Sequence, residues 1–71
     1  MPSTAIRHIG YDADKRELFV TFVPTGKTYV YFNVSQDVFH AFVHADSRGR
    51  FFNQMIRDLY EFEELVRQHR A

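Results

Sequence analysis

The sequence predicts an α+β fold: a three-stranded antiparallel β-meander, then two helices packed on one face, with a helical C-terminal tail. Three observations carry this expectation. Residues 28–33 read TYVYFN, and their aromatic side chains at Tyr29, Tyr31 and Phe32 around the β-branched Val30 are a strand composition. Residues 17–23, ELFVTFV, alternate Leu18, Val20 and Phe22 with Phe19, Thr21 and Val23, the two-residue period of a strand. Beyond residue 35 the apolar spacing becomes helical, first in Val38, Phe39, Phe42 and Val43, then in Phe51, Phe52, Met55, Ile56 and Leu59.

Taken in order, residues 1–3 are a short lead, and residues 4–11 space Ile6, Ile9 and Tyr11 among polar residues as a first strand. DADKR at 12–16 is a polar turn. PTGK at 24–27 turns the chain again: Pro24 presets its own φ, and Gly26 tolerates a positive one. A symmetric PTGK turn sets Phe22 opposite Tyr29 and Val20 opposite Tyr31, so Leu18, Val20, Phe22, Tyr29 and Tyr31 share one face. A bulge at Gly26 would move the tyrosines to the side of Phe19 and Val23. The symmetric register is the preferred one. Ser35 is suited to cap the first helix, with Asp37 in its first turn where a negative charge complements the helix dipole, and the helix extends to Ala45. Asp46 and Ser47 interrupt the pattern, and Ser47 caps the second helix. In residues 60–71, Phe62, Leu65 and Val66 keep a helical spacing without Gly or Pro. The second helix either runs on, or a short kink at Leu59 and Tyr60 starts a third.

Seventy-one residues make a single domain, 1–71. A chain of this size buries a small fraction of its surface. It has no cysteine, so no disulfide can staple it, and stability must come from packing by its 17% aromatic residues. Self-association would add to that. Nine basic and nine acidic residues balance, which excludes nucleic-acid coating by bulk charge and leaves room for a local basic patch. No apolar run reaches the roughly 20 residues that span a bilayer. The start, MPSTAIRHIG, lacks the layout of a secretory signal, so a cytoplasmic location is expected.

An ordered set of residues then points to a family. Leu18, Val20 and Phe22 form L-x-V-x-F, followed by a Gly-containing turn and the Tyr-x-Tyr of Tyr29 and Tyr31. A helix ends in the Ala-x-Ser-x-Gly of Ala45, Ser47 and Gly49, followed by Phe52-Asn53, Ile56-Arg57 and Tyr60. Over residues 3–60 the chain resembles the KTSC domain, a short domain found alone in bacterial proteins and at the C-terminus of some lysyl-tRNA synthetases. The attachment to a synthetase implies an RNA-binding role. The chain departs from the family pattern in a PTGK turn one residue longer, and in apolar Val30 and Phe32 beside the tyrosines. Residues 61–71, read as a helical tail, lie beyond the match.

Several side chains are candidates for function. Tyr29 and Tyr31 could stack bases, as aromatics on sheet faces do in single-strand binders, although the preferred register packs their rings under the helices. Arg48, Arg50 and Arg57, with Asn53 and Gln54, make the best polar patch. Residues 50, 53, 54 and 57 fall on one helix face, and Ser47 and Gly49 stand at the helix start, where an anion is favoured. Phe19, Val23, Val30 and Phe32 fall on the sheet face away from the helices. An apolar patch there is explained by homodimerisation, the preferred reading, by coverage from the C-terminal helix, or by a ligand groove. His40 and His44 stand four apart without a third ligand or an H-E-x-x-H motif, so no metal is expected. Asp46, Ser47 and His44 are explained by capping, and no nucleophile elbow is present. Glu61, Glu63 and Glu64 match Arg67 and Arg70 at helical spacing as ordinary surface pairs. No catalytic constellation, cofactor or small-molecule substrate is expected. The leading function is a binding module with RNA as partner. The alternative is a self-associating protein-interaction module that uses the apolar sheet face.

Overall fold

The computed structural model describes residues 5–66. The element order is β1 (Ile6–Asp12), β2 (Glu17–Phe22), β3 (Thr28–Tyr31), α1 (Gln36–Val43), α2 (Arg48–Met55) and β4 (Phe62–Leu65). The four strands form one antiparallel sheet in the order β1-β2-β3-β4. The meander, the two helices and their common face are as the alternation predicts; the fourth strand is not.

Both hairpins are closed by four-residue loops whose last residue is left-handed. In the first, the Asp12 carboxylate accepts from the Asp14 and Lys15 amides at 3.0 and 3.3 Å, and Arg16 has φ 56°. In the second, which contains a cis Val23–Pro24 bond, the Phe22 amide donates to the Lys27 carbonyl at 2.9 Å, and Gly26, at φ 75°, donates to the Phe22 carbonyl at 2.8 Å. Glycine holds that conformation without the steric cost a side chain would bring. The loop is therefore 23–26 rather than 24–27, and the register differs by two residues from the symmetric expectation. Val20 faces Tyr29 and Leu18 faces Tyr31. A shift of two preserves the faces, since side chains repeat every second residue. Gly26 adopts the bulge-type conformation, yet the tyrosines remain on the side of Leu18, Val20 and Phe22.

That side is the core. Leu18, Val20, Tyr31, Val34, Phe42, Phe52 and Ile56 form one buried cluster, flanked by Ile9, Tyr11, Phe39 and Phe51. Tyr11 stacks on Phe39 with ring centroids 4.7 Å apart, and its hydroxyl donates to the Val34 carbonyl at 2.6 Å. The Val34 amide donates in turn to the Arg16 carbonyl at 3.0 Å. These bonds tie β1 and the first hairpin to the connection that launches α1.

The helix starts follow the sequence. Ser35 Oγ accepts from the Val38 amide and Ser47 Oγ from the Arg50 amide, both at 3.2 Å. Helix α1 stops at Val43, where the His44 amide and Nδ1 both bond the His40 carbonyl. Helix α2 stops at Met55, and the Arg57 amide reaches five residues back to the Phe52 carbonyl at 2.8 Å. Only Phe52 and Ile56 of the expected second-helix stripe are buried. Phe51 is half-buried, whereas Met55 and Leu59 are exposed.

The helical tail is the main correction. Residues 56–60 turn the chain back to the sheet, and 62–65 form β4 against β3. The spacing of Phe62, Leu65 and Val66 fits a helix, and the run FEEL lacks the apolar–polar alternation of a strand, since each of its faces carries one apolar residue and one glutamate. Tertiary demand overrides that spacing. Without β4, the aromatic β3 would be a bare edge with unpaired backbone groups. The Phe32 amide donating to the Glu61 carbonyl at 2.9 Å extends this pairing. The part of the expected tail at 67–71, with Arg67 and Arg70, and the lead at 1–3 with Thr4 lie outside the described residues.

Candidate functional site

A concave groove of about 510 Å³ opens between β3, β4 and the end of α2. Its floor is aromatic: Phe22 from β2, Tyr29 and Tyr31 from β3, and Phe52 from α2. Its rim carries Asn53, Arg57, Asp58 and Phe62. The strand alternation that places Leu18 and Val20 in the core also aims Tyr29 and Tyr31 into this groove, because they stand directly opposite those residues. The early end of α2 lets the chain turn over it, which sets Arg57 and Asp58 at the mouth.

The rings interlock, edge to face for Tyr31 on Phe52 and Tyr29 on Phe22, and tilted against Phe62. Tyr31 meets Phe52 at 5.5 Å and Phe62 at 5.4 Å, and Tyr29 meets Phe22 at 5.7 Å and Phe62 at 5.8 Å. Such pairs add to simple burial and fix ring orientation. Phe62 is the outermost ring, with 51% of its surface exposed. Tyr31 is only 4% exposed, yet neither tyrosine hydroxyl has a hydrogen-bond partner among the described residues, and neither is a sealed, unsatisfied group. Both tyrosines line the groove. Burial, with a further contribution from Tyr29, pushes the Tyr31 phenol up to about 12 against the opposing charge of Arg57. It is a hydrogen-bond donor throughout the physiological range. Arg57 lines the same groove as the phenol.

The residues read as an arginine patch divide into three settings. Arg48 lays Nε and Nη2 on the Val43 carbonyl at 3.2 and 3.1 Å. It satisfies the carbonyl end of α1, a structural use of a planar fork. Arg50 lines a shallower depression with Ser47, Phe51 and Gln54. Ser47 Oγ is occupied by its cap, and Gly49 is half-buried in the first turn of α2. Arg57 joins the groove, and no ion pair claims it among the described residues. Arg7 sits at the β1 bulge on the opposite edge of the sheet, and Lys27 borders a different surface with Gly26 and Glu64.

The structure thus brings Tyr29, Tyr31, Asn53 and Arg57 together, which the sequence offered as two unrelated candidates. Phe22, Phe52, Asp58 and Phe62 were missed as site residues. No alternation in residues 62–65 signalled the placement of Phe62, and nothing in the sequence marked Asp58.

On the other sheet face, Phe19 and Phe32 are half-buried, and Val30 is only 4% exposed beneath its neighbours. Val23 lies in the loop beyond β2 and is exposed, as is Leu65 of β4. The His40 and His44 rings are 6.5 Å apart, and no group of three or more metal-capable side chains occurs among the described residues. No described helix is long and apolar enough to cross a membrane.

Comparison with known proteins places this arrangement. The KTSC domain model matches residues 2–60. An uncharacterized protein of Stutzerimonas stutzeri is 39% identical over 57 residues, covering 80% of this chain and 79% of the relative. A protein of Tsukamurella paurometabola is 38% identical over 55 residues, covering 78% and 81%. The crystal structure of a KTSC domain protein from Yersinia pestis superposes with a TM-score of 0.84 at 35% identity, covering 93% of this chain and 92% of that one.

Proposed function

The chain belongs to the KTSC domain family, and on that premise we propose that it is a small cytoplasmic binding module for single-stranded RNA, bound in the aromatic groove. One observation carries this reading: an arginine with no ion pair among the described residues stands at the mouth of a groove floored by aromatic rings, two of them phenols whose hydroxyls have no hydrogen-bond partner among the described residues. Bases splayed from a single strand stack on such rings, while a guanidinium neutralises phosphate. Phe62 and Tyr29 offer the accessible ring surface. Tyr31 and Tyr29 offer donors to base acceptors. Arg57 offers the charge, and Asn53, Gln54 and Arg50 continue along the exposed side of α2 towards its start. With a balanced overall charge, affinity is expected to be modest and confined to this track.

Fluorescence anisotropy with a mixed-sequence RNA 12-mer across a salt series tests the proposal. Arg57→Ala is expected to weaken binding about five- to twentyfold at low salt, equivalent to about 1–2 kcal/mol. It should also reduce the slope of log affinity against log salt by about 0.7, the value of one lost phosphate contact on a single strand. Unchanged binding by this variant, or no binding by the wild type in 50 mM salt, would overturn the reading.

A second reading rests on the open sheet face, where Phe19 and Phe32 are incompletely covered beside exposed Leu65. Self-association through that face would make a homodimer that leaves the groove free. Its signature is a doubled solution mass by light scattering that persists in high salt and is lost in Phe32→Asp. A monomeric wild-type mass at high concentration removes this reading.

A further inference from the structure

We propose that the groove selects guanine, with Asp58 as the residue that determines the selection. This rests on the RNA-binding reading above and names which base that site takes. Asp58 stands in conflict with binding a polyanion there. Asp58 lines the same groove as Arg57 and has no partner among the described residues. Beside a polyanion, a lone carboxylate repels each phosphate it meets. It becomes an asset only when it faces N–H donors, since an ionised carboxylate accepts and cannot donate.

Nucleobases differ in the donors they can present. Uracil offers a single ring N–H, and adenine and cytosine each offer an exocyclic amine beside a ring acceptor. Guanine alone offers two adjacent donors, N1–H and the N2 amine, on one edge. The two oxygens of a carboxylate match that pair as a fork. Guanine also carries O6 and N7 as acceptors, and the groove supplies donors for them. The Tyr31 phenol keeps its proton well above neutral pH, the Tyr29 hydroxyl has no partner among the described residues, and Arg57 is a cation lining the same groove. An acceptor pair at Asp58 and donors at Arg57 and the tyrosines, around an aromatic floor, together complement guanine's edges and its flat face.

The experiment uses the full chain and four uridine-rich RNA 9-mers that differ only in a central G, A, C or U, read by anisotropy. Wild type is expected to prefer the G-containing strand by about tenfold, within the range of a bidentate side chain–base pair. Asp58→Asn, which can accept at one atom only, should still bind all four but lose the preference. Replacing the central guanosine with inosine, which lacks the N2 amine, should weaken wild-type binding and leave Asp58→Asn unaffected. That arm requires no change to the protein, so misfolding of the variant cannot mimic it. Equal binding of the four strands by wild type, or a G preference that survives in Asp58→Asn, overturns the guanine assignment while leaving RNA binding intact. Failure of all four strands to bind overturns both.

Discussion

Phe42→Ala is expected to remove about 3–5 kcal/mol of stability, the cost of emptying a large aromatic site in a packed core. Phe42 is fully buried on α1, stacks on Phe51 with ring centroids 5.5 Å apart, and meets Phe52 at 6.3 Å. It therefore joins the two helices to one another above Leu18 and Val20. A domain of this length has a total stability of only about 4–10 kcal/mol, so the variant should lose about a third of it or more. Urea denaturation followed by circular dichroism measures the change through the midpoint. Phe42→Leu, which retains much of the volume, should lose far less. A loss below about 1 kcal/mol for the alanine variant would mean that the α1–α2 seam is not the centre of the core.

The elements that could be read in the sequence are those whose signals are local. Ser35 and Ser47 cap their helices because each hydroxyl stands three residues before an otherwise unpaired amide. The sharing of one face by Leu18, Val20, Tyr29 and Tyr31 could be read because alternation fixes parity even where the loop is misplaced by a residue at each end. The expectation failed where a non-local partner decided the outcome. Residues 62–65 carry no strand alternation of their own, and what makes them a strand is β3, some thirty residues earlier in the chain. The end of α2 is of the same kind. No Gly or Pro stops it; burial of Ile56 and the return of Phe62 to Tyr31 do.

The site was legible only in pieces, for the same reason. Tyr29 and Tyr31 were visible as aromatics on a face, and Arg57 and Asn53 as a helical stripe. Their convergence depends on β4 replacing the tail and on the chain turning after Met55. Arg48 shows the opposite case. It has the residue type and position of an anion ligand, but its fork is occupied by the Val43 carbonyl. Charge on a helix face becomes a candidate site only after capping duties are assigned.

Removal of residues 61–71 is expected to convert the protein into one that self-associates through β3. All four residues of β4 are exposed, so its ordering, at about 1–2 kcal/mol of entropy per residue, consumes much of what its contacts contribute. Its larger effect is on association. β4 covers the edge of a strand whose sequence, TYVYF, combines strong β-propensity with no charge, the kind of segment that templates further pairing. β4 offers a poorer edge to a second copy, because Glu61, Glu63 and Glu64 would repel the same glutamates opposite. Light scattering over a concentration series should therefore find a mass that rises with concentration for the shortened chain. Edge pairing runs through the backbone, so the rise should persist when Phe32→Asp is added, whereas association through the open sheet face would not. A shortened chain of constant monomeric mass would show that β3 needs no cover, leaving the aromatic contacts of Phe62 as the reason residues 62–65 join the sheet.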